Sequence, residues 1–186
     1  MEYHEQEYQN ELISIGVERD LIFHIFANLD ELIDFERRFL ISMEAMAATS
    51  LNEQRVGSLF ITNESAFGVY EVFCANHQKS TEAIASHASA LSRARRMDVR
   101  SLSSYLIKPI QRICRYPLFL KEFIKYCPAD YPYKKELEDG FACIKRVGDV
   151  INEANRRAEN LQLKHELKDR VEDWKVWRHV LPMQLF

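Results

Sequence analysis

The stretch from Ser101 to Lys121 restricts what this 186-residue chain can fold into more than any other. Read as a helix capped by Ser101 and running to about Tyr126, it carries apolar residues at Leu102, Leu106, Ile110, Ile113, Pro117, Leu120 and Ile124. Those steps of three and four draw one continuous buried stripe. A second stripe beside it runs through Ile107, Gln111 and Arg115, one helical turn apart each time, with Lys108 and Arg112 flanking. The helix therefore has a core side and a side that presents amide and guanidinium donors. It also contains Pro109, which removes a backbone donor and kinks a helix or marks its early turns.

The rest of the composition agrees with long helices. Only 5 Gly and 5 Pro punctuate the chain, so its elements are few and extended. Hydrophobic residues make up 47%, enough for one domain with a real core. A net charge of −3 supplies no bulk attraction to nucleic acid or to anionic lipid. The single basic cluster, Arg93, Arg95, Arg96 and Arg100, reads as a solvated helix end and loop, with a phosphate or lipid contact as the alternative. Cys74, Cys114, Cys127 and Cys143 lack C-x-x-C spacing and a nearby histidine pattern, so reduced thiols in a cytoplasmic protein are expected. No run approaches the roughly 20 apolar residues of a membrane span, and no signal peptide opens the chain, so stable membrane insertion is not expected. Asn63-Glu64-Ser65 matches a glycosylation acceptor but carries no weight without a secretion signal.

Taken in order, residues 3–15 read as the end of a helix closed by Gly16, with Tyr8, Leu12 and Ile15 on one face. A short helix follows from Val17 to Phe26. Asn28 and Asp30 offer capping oxygens for the next, whose core face is Leu32, Phe35, Phe39, Met43 and Met46, while Glu36, Arg37 and Arg38 keep its other side wet. Residues 52–61 are predicted helical, and Thr62-Asn63 caps a helix that continues to about Ser92. Residues 93–100 connect it to the helix at Ser101. Two prolines within residues 127–133 make a break. A last long helix starts at Lys134, with Leu137, Phe141, Ile144, Val147, Ile151, Ala154, Ala158 and Leu161 facing the core, and reaches past Asp169 towards Trp174. Gly148 in its middle is a candidate for close helix approach. No strand pattern and no internal repeat is present. The prediction is an all-α, elongated bundle.

Bond-making chemistry is missing. There is no Gly-rich phosphate loop, no H-x-x-x-H or H-E-x-x-H among the six histidines, and no G-x-S-x-G. The carboxylates on amphipathic helices are read as solvated faces. No cofactor and no metal is expected, and any activity must come from a binding surface.

The opening stretch resembles the third signature block of the Dbl-homology domain, the catalytic module of Rho-family guanine nucleotide exchange factors. The residues that carry it are Leu102, Tyr105 through Ile113, Arg115, Tyr116, Pro117, Leu118 and Leu120 through Glu122. Residues 28–41 are similar to the segment entering the family's second helix, especially in the fungal polarity exchange factors. Val150-Ile151-Asn152-Glu153 resembles part of its last long helix. The resemblance implies a module that binds both switch regions of a Rho-type GTPase, expels magnesium and loosens the nucleotide. The implied partner is a GTPase of the cell-division-control or Rac type, met in the cytoplasm or, after recruitment by flanking domains, at the plasma membrane or cortex. Carried over by position, Gln111 and Arg115 contact the second switch region, Asn152 hydrogen-bonds the same region, and Ile107 meets a residue used in partner selection. Lys108 belongs to the same GTPase-binding set, although Lys108, Arg112 and Tyr116 also suit internal bracing.

The resemblance covers about residues 5–173, and the domain is drawn at 1–175, incomplete at its N-terminus, with 176–186 a divergent tail in which Trp177, Leu181, Leu185 and Phe186 pack back or hang loose. The family's first block carries a Thr-Glu pair reaching the first switch region. Glu5 and Glu7 lie too close to the following loop to match it. That leaves two expectations: an exchange module, or a non-catalytic GTPase-binding module.

Overall fold

The computed structural model describes residues 9–94 and 99–170, and its regular elements there are all helical. The first helical residues, 9–14, form α1. Gly16 ends it in the left-handed region at φ +84°, where a side chain would be strained. Its N–H reaches Ile13 O at 3.1 Å, and the Val17 N–H reaches Leu12 O at 3.0 Å. These are the two bonds of a Schellman stop, and its apolar partners Leu12 and Val17 are both buried. Gly16 thus does what its position predicted. Glu5, Glu7 and the tail from 176 lie outside the described residues.

Helix α2 spans Arg19–Phe26 and turns Ile22, Ile25 and Phe26 inward. Helix α3, Leu29–Ala47, buries Leu29, Leu32, Phe35 and Phe39. Asn28 does not cap it, contrary to expectation; its Nδ2 donates to Val69 O at 3.0 Å, so the amide ties the start of α3 to that of α5. The predicted helix over 52–61 is shorter. Leu51–Glu53 is a single 3-10 turn and α4 covers Val56–Thr62. Asn63 belongs to the end of α4, donating to Leu59 O at 2.8 Å.

Helix α5 spans Val69–Ser86, and a separate turn of helix, α6, covers Ala88–Leu91. One continuous helix to Ser92 was expected. The break falls where Ser86 Oγ bonds Glu82 O at 2.7 Å and His87 Nδ1 lies 3.0 Å from Ala83 O. The ladder itself reaches His87, whose N–H still meets Ala83 O at 3.1 Å, and stops because His87 leaves the helical range at φ −110° and ψ 18°.

Helix α7 runs Val99–Tyr126 with Pro109 and Pro117 inside it, and α8 runs Lys134–Arg170. At 37 residues α8 is about 55 Å long, which makes the bundle elongated as predicted. Along α8, Leu137, Cys143, Ile144, Val147 and Ile151 are buried, but Leu161 is 56% exposed, so the core stripe fades after Ile151.

Helices α4, α5 and α7 all pack on α8. The centre is aromatic: Phe39 sits 5.2 Å from Phe67, 5.4 Å from Phe60 and 5.8 Å from Tyr116, mostly edge to face. The close approach of helices occurs at Gly57 and Gly140, where α4 crosses α8. A Cβ on Gly57 would stand 2.1 Å from Glu136 O. Gly148, the predicted point of approach, has open space around it.

Candidate functional site

The buried line of α7 is Leu102, Leu106, Pro109, Ile113, Tyr116 and Leu120. Its steps alternate four and three, so it is centred one residue away from the predicted stripe at two points. Pro109 and Tyr116 are inside, whereas Ile110 and Pro117 are half-buried at the margin. This rotation decides where every polar side chain of α7 points.

On the α3 flank lie Tyr105, Lys108, Arg112, Arg115 and Phe119. Lys108 Nζ sits 4.1 Å from the Tyr105 ring centroid, a cation–π contact on the surface. Arg112 Nη1 donates to Glu36 Oε2 of α3, and Tyr70 Oη of α5 donates to Glu36 Oε1. The predicted bracing role thus holds for Arg112, and Tyr116 joins it through the aromatic cluster. Glu36 itself was expected on the wet side of α3. Instead its side chain is only 16% exposed, because it sits one turn from both Leu32 and Phe39 on the same face. Burial pushes its carboxyl above the ordinary range, and the neighbouring Arg112 charge and hydrogen bond only partly oppose that. Burial also pushes the Tyr116 hydroxyl up, with the Glu36 charge adding to it.

A groove of about 820 Å³ opens between α3 and α7. Lys108, Gln111 and Arg115 line it, together with Ile33, Leu40 and Phe119. Gln111 and Arg115 are exposed on its α7 side. Three of the five predicted site residues therefore share one groove. Ile107 does not line it: this half-buried residue sits one turn before Ile110, which lines a separate cavity of about 130 Å³ between α5, α7 and α8. Asn152 is exposed on α8, the helix that packs along α7. One turn further, Asn155 Oδ1 is buried without a partner. Beside Asn152, Glu153 accepts from Arg156 and Arg157 at 2.9 and 3.0 Å, and these hydrogen bonds hold its carboxyl down at about 2.

Glu36, Ile33 and Leu40 were missed as groove residues. The only signal for Glu36 was its spacing, four after Leu32 and three before Phe39. Among the described residues no group of His, Cys, Asp or Glu could hold a metal, and no helix is long and apolar enough to cross a membrane.

Fold and site together define a helical platform that offers a partner an exposed, donor-bearing helix beside an apolar groove. Residues 2–152 match the RhoGEF domain, and the chain belongs to that family. Over 158 residues it is 44% identical to the Rho guanine nucleotide exchange factor scd1 of Schizosaccharomyces pombe, covering 84% of this chain and 18% of that protein. It is 35% identical to cell division control protein 24 of Saccharomyces cerevisiae, covering 92% of this chain and 21% of the relative. The chain thus spans about a fifth of the length of these curated relatives. Among solved structures, PDZ-RhoGEF DH/PH domains in complex with GTP-gamma-S activated RhoA match with a TM-score of 0.74 at 19% identity, over 95% of this chain and 53% of that one. The apo structure of the activated truncation of Vav1 matches with a TM-score of 0.70 at 22% identity, over 91% and 48%. These likenesses establish the DH-type fold.

Proposed function

We propose that this chain is a guanine nucleotide exchange module for a Rho-family small GTPase, of the cell-division-control or Rac type. The family match carries the reading, and the exposure of Gln111 and Arg115 on one side of α7 supports it. On this reading Gln111, Arg115 and Asn152 hydrogen-bond the second switch region. Ile107 contacts a selectivity residue, and Lys108 borders the contact. No covalent step is involved. A surface that prefers the nucleotide-free GTPase must, by linkage, lower the GTPase's affinity for nucleotide. On this reading the module works in cell polarity, in the cytoplasm and, when recruited, at the cortex; two relatives are named a Rho guanine nucleotide exchange factor and a cell division control protein.

The test is release of fluorescent GDP from a panel of Rho GTPases. Acceleration is expected for at least one member, and Arg115→Ala should slow it by about 10- to 100-fold, the worth of a charged hydrogen bond. Asn152→Ala should slow it by less. Capture of nucleotide-free GTPase without faster release would identify a non-catalytic binding module instead. Neither capture nor release, for any member, would end the proposal.

A further inference from the structure

Helix packing joins α3 to α4 and α5, and α7 to α5 and α8. Across the groove α3 and α7 meet chiefly through side chains. Among the described residues, two such links lie below the exposed face of α7. One is Phe39 against Tyr116, with centroids 5.8 Å apart. The other is the carboxylate of Glu36, which takes Arg112 of α7 on one oxygen and Tyr70 of α5 on the other. A single side chain thus ties three helices together. On α7, Gln111 is next to Arg112, and Arg115 lies one turn on.

We propose that Glu36 is a positioning residue for the GTPase-facing surface of α7, acting as a strut that fixes the rotation of that helix through Arg112. The inference rests on the exchange reading above and deepens it. The geometry favours a strut over a direct contact. The Glu36 side chain is 16% exposed and both its oxygens are engaged inside the bundle, so it has little left to offer a partner. Arg112, at 47%, reaches inward from the surface and gives up a freely hydrated position to do so. A helix turns by about 100° per residue, so a side chain pinned at 112 sets the direction of 111 and 115. Placement errors near 1 Å are costly for a surface that must discriminate between two states of its partner.

The charged and titratable groups that line the same groove are Lys108, Arg112, Arg115 and Tyr116 from α7 and Arg37 from α3, with Tyr70 from α5 bonded to Glu36. The cations favour the ionised strut, whereas burial opposes it and wins. Protonation of Glu36 therefore releases Arg112 at a higher pH than an ordinary glutamate would. A carboxyl raised in the folded state contributes stability below its unfolded value and loses that contribution as pH rises through the folded one. Acidification through this window should thus cost positioning without a matching cost in stability from this group.

Glu36→Gln keeps the shape and removes the charge. GDP release should slow by about tenfold, with the thermal midpoint close to wild type. Arg112→Gln should give the same loss, and the double variant should lose no more than either single change. The ratio of wild-type to Glu36→Gln rates should fall towards one as the pH is lowered from neutrality, because acid protonates the wild-type strut. A structural role alone would not produce that convergence. Hydrogen–deuterium exchange of α7 in the GTPase-free protein gives a second readout, and residues 105–116 should exchange several-fold faster in Glu36→Gln. Wild-type release by Glu36→Gln, additive losses in the double variant, or equal α7 protection would each overturn the strut. An inactive wild type refutes the exchange reading and leaves the strut to be decided by α7 protection.

Discussion

Alanine at Gly57 and alanine at Gly148 should change stability in opposite directions, although both glycines sit in helices and both changes improve helix propensity. Propensity alone favours alanine by about 1 kcal/mol at either site. At Gly148 nothing lies within 4 Å of the added methyl, so that gain survives. At Gly57 the added Cβ would meet Glu136 O at 2.1 Å, Glu136 C at 2.4 Å and Leu137 Cα at 2.7 Å. All three are backbone atoms of α8, so no rotamer change relieves the overlap. The helices must separate by about 1 Å, stretching the 3.3 Å contact from Cys143 Sγ to Phe60 O and loosening the aromatic centre beside it.

Overpacking of this kind costs 1–3 kcal/mol and occasionally more, and a backbone-against-backbone clash belongs at the upper end. A net loss of about 3 kcal/mol, at about 2–4 °C per kcal/mol for a chain of this size, lowers the melting temperature by about 6–12 °C. Gly148→Ala should raise it by about 2–4 °C. Gly140→Ala, whose Cβ meets Gly57 Cα and O at 2.7 Å, should resemble Gly57→Ala. The double substitution should lose less than the sum, since the helices separate only once. Calorimetry on the four variants decides the matter. A Gly57→Ala protein that melts at or above the wild-type temperature would refute the inferred helix contact.

Ser80→Ala should cost about 1–2 kcal/mol in a urea titration, because the buried Ser80 hydroxyl donates to Ile25 O at 2.7 Å and its loss strands that carbonyl. Maleimide labelling should modify exposed Cys114 first and leave Cys74 and Cys143 untouched until the protein unfolds. Burial pushes those two thiols up to about 12 and about 11, leaving almost no thiolate at neutral pH.

Local signals in the sequence located the helices well. Gly16 stops α1 by the bonds its type predicts, and the prolines near 130 separate α7 from α8. What spacing could not supply was the rotation of α7 to within one residue. Leucine and isoleucine mark an apolar stripe, but Pro109 and Tyr116 were not expected to take its centre, and only the tertiary packing reveals that they do: Pro109 is buried, and Tyr116 meets Phe39 and Phe60. Glu36 shows the same limit. A glutamate beside Arg37 and Arg38 reads as surface until Arg112 and Tyr70 arrive from elsewhere in the chain. The Gly57–Gly140 crossing joins residues far apart in sequence, and a glycine in a helix carries no mark of what faces it.

These rotations decide how the proposed site can work without bond-making groups. Exchange by linkage requires that partner contacts favour one state of the GTPase, and every tenfold of preference takes about 1.4 kcal/mol. Long cationic side chains lose that margin when they must be ordered on binding. Here the ordering is partly done in advance: Lys108 rests on Tyr105, and Arg112 is held by Glu36. Gln111 stands between those fixed neighbours and Arg115 one turn beyond Arg112, on a helix whose opposite face is buried from Leu102 to Leu120. On the proposed reading, the binding energy of Gln111 and Arg115 goes into telling GTPase states apart rather than into fixing α7. On this account, loosening α7 at Glu36 should weaken discrimination between nucleotide-bound and nucleotide-free partner more than it weakens total binding.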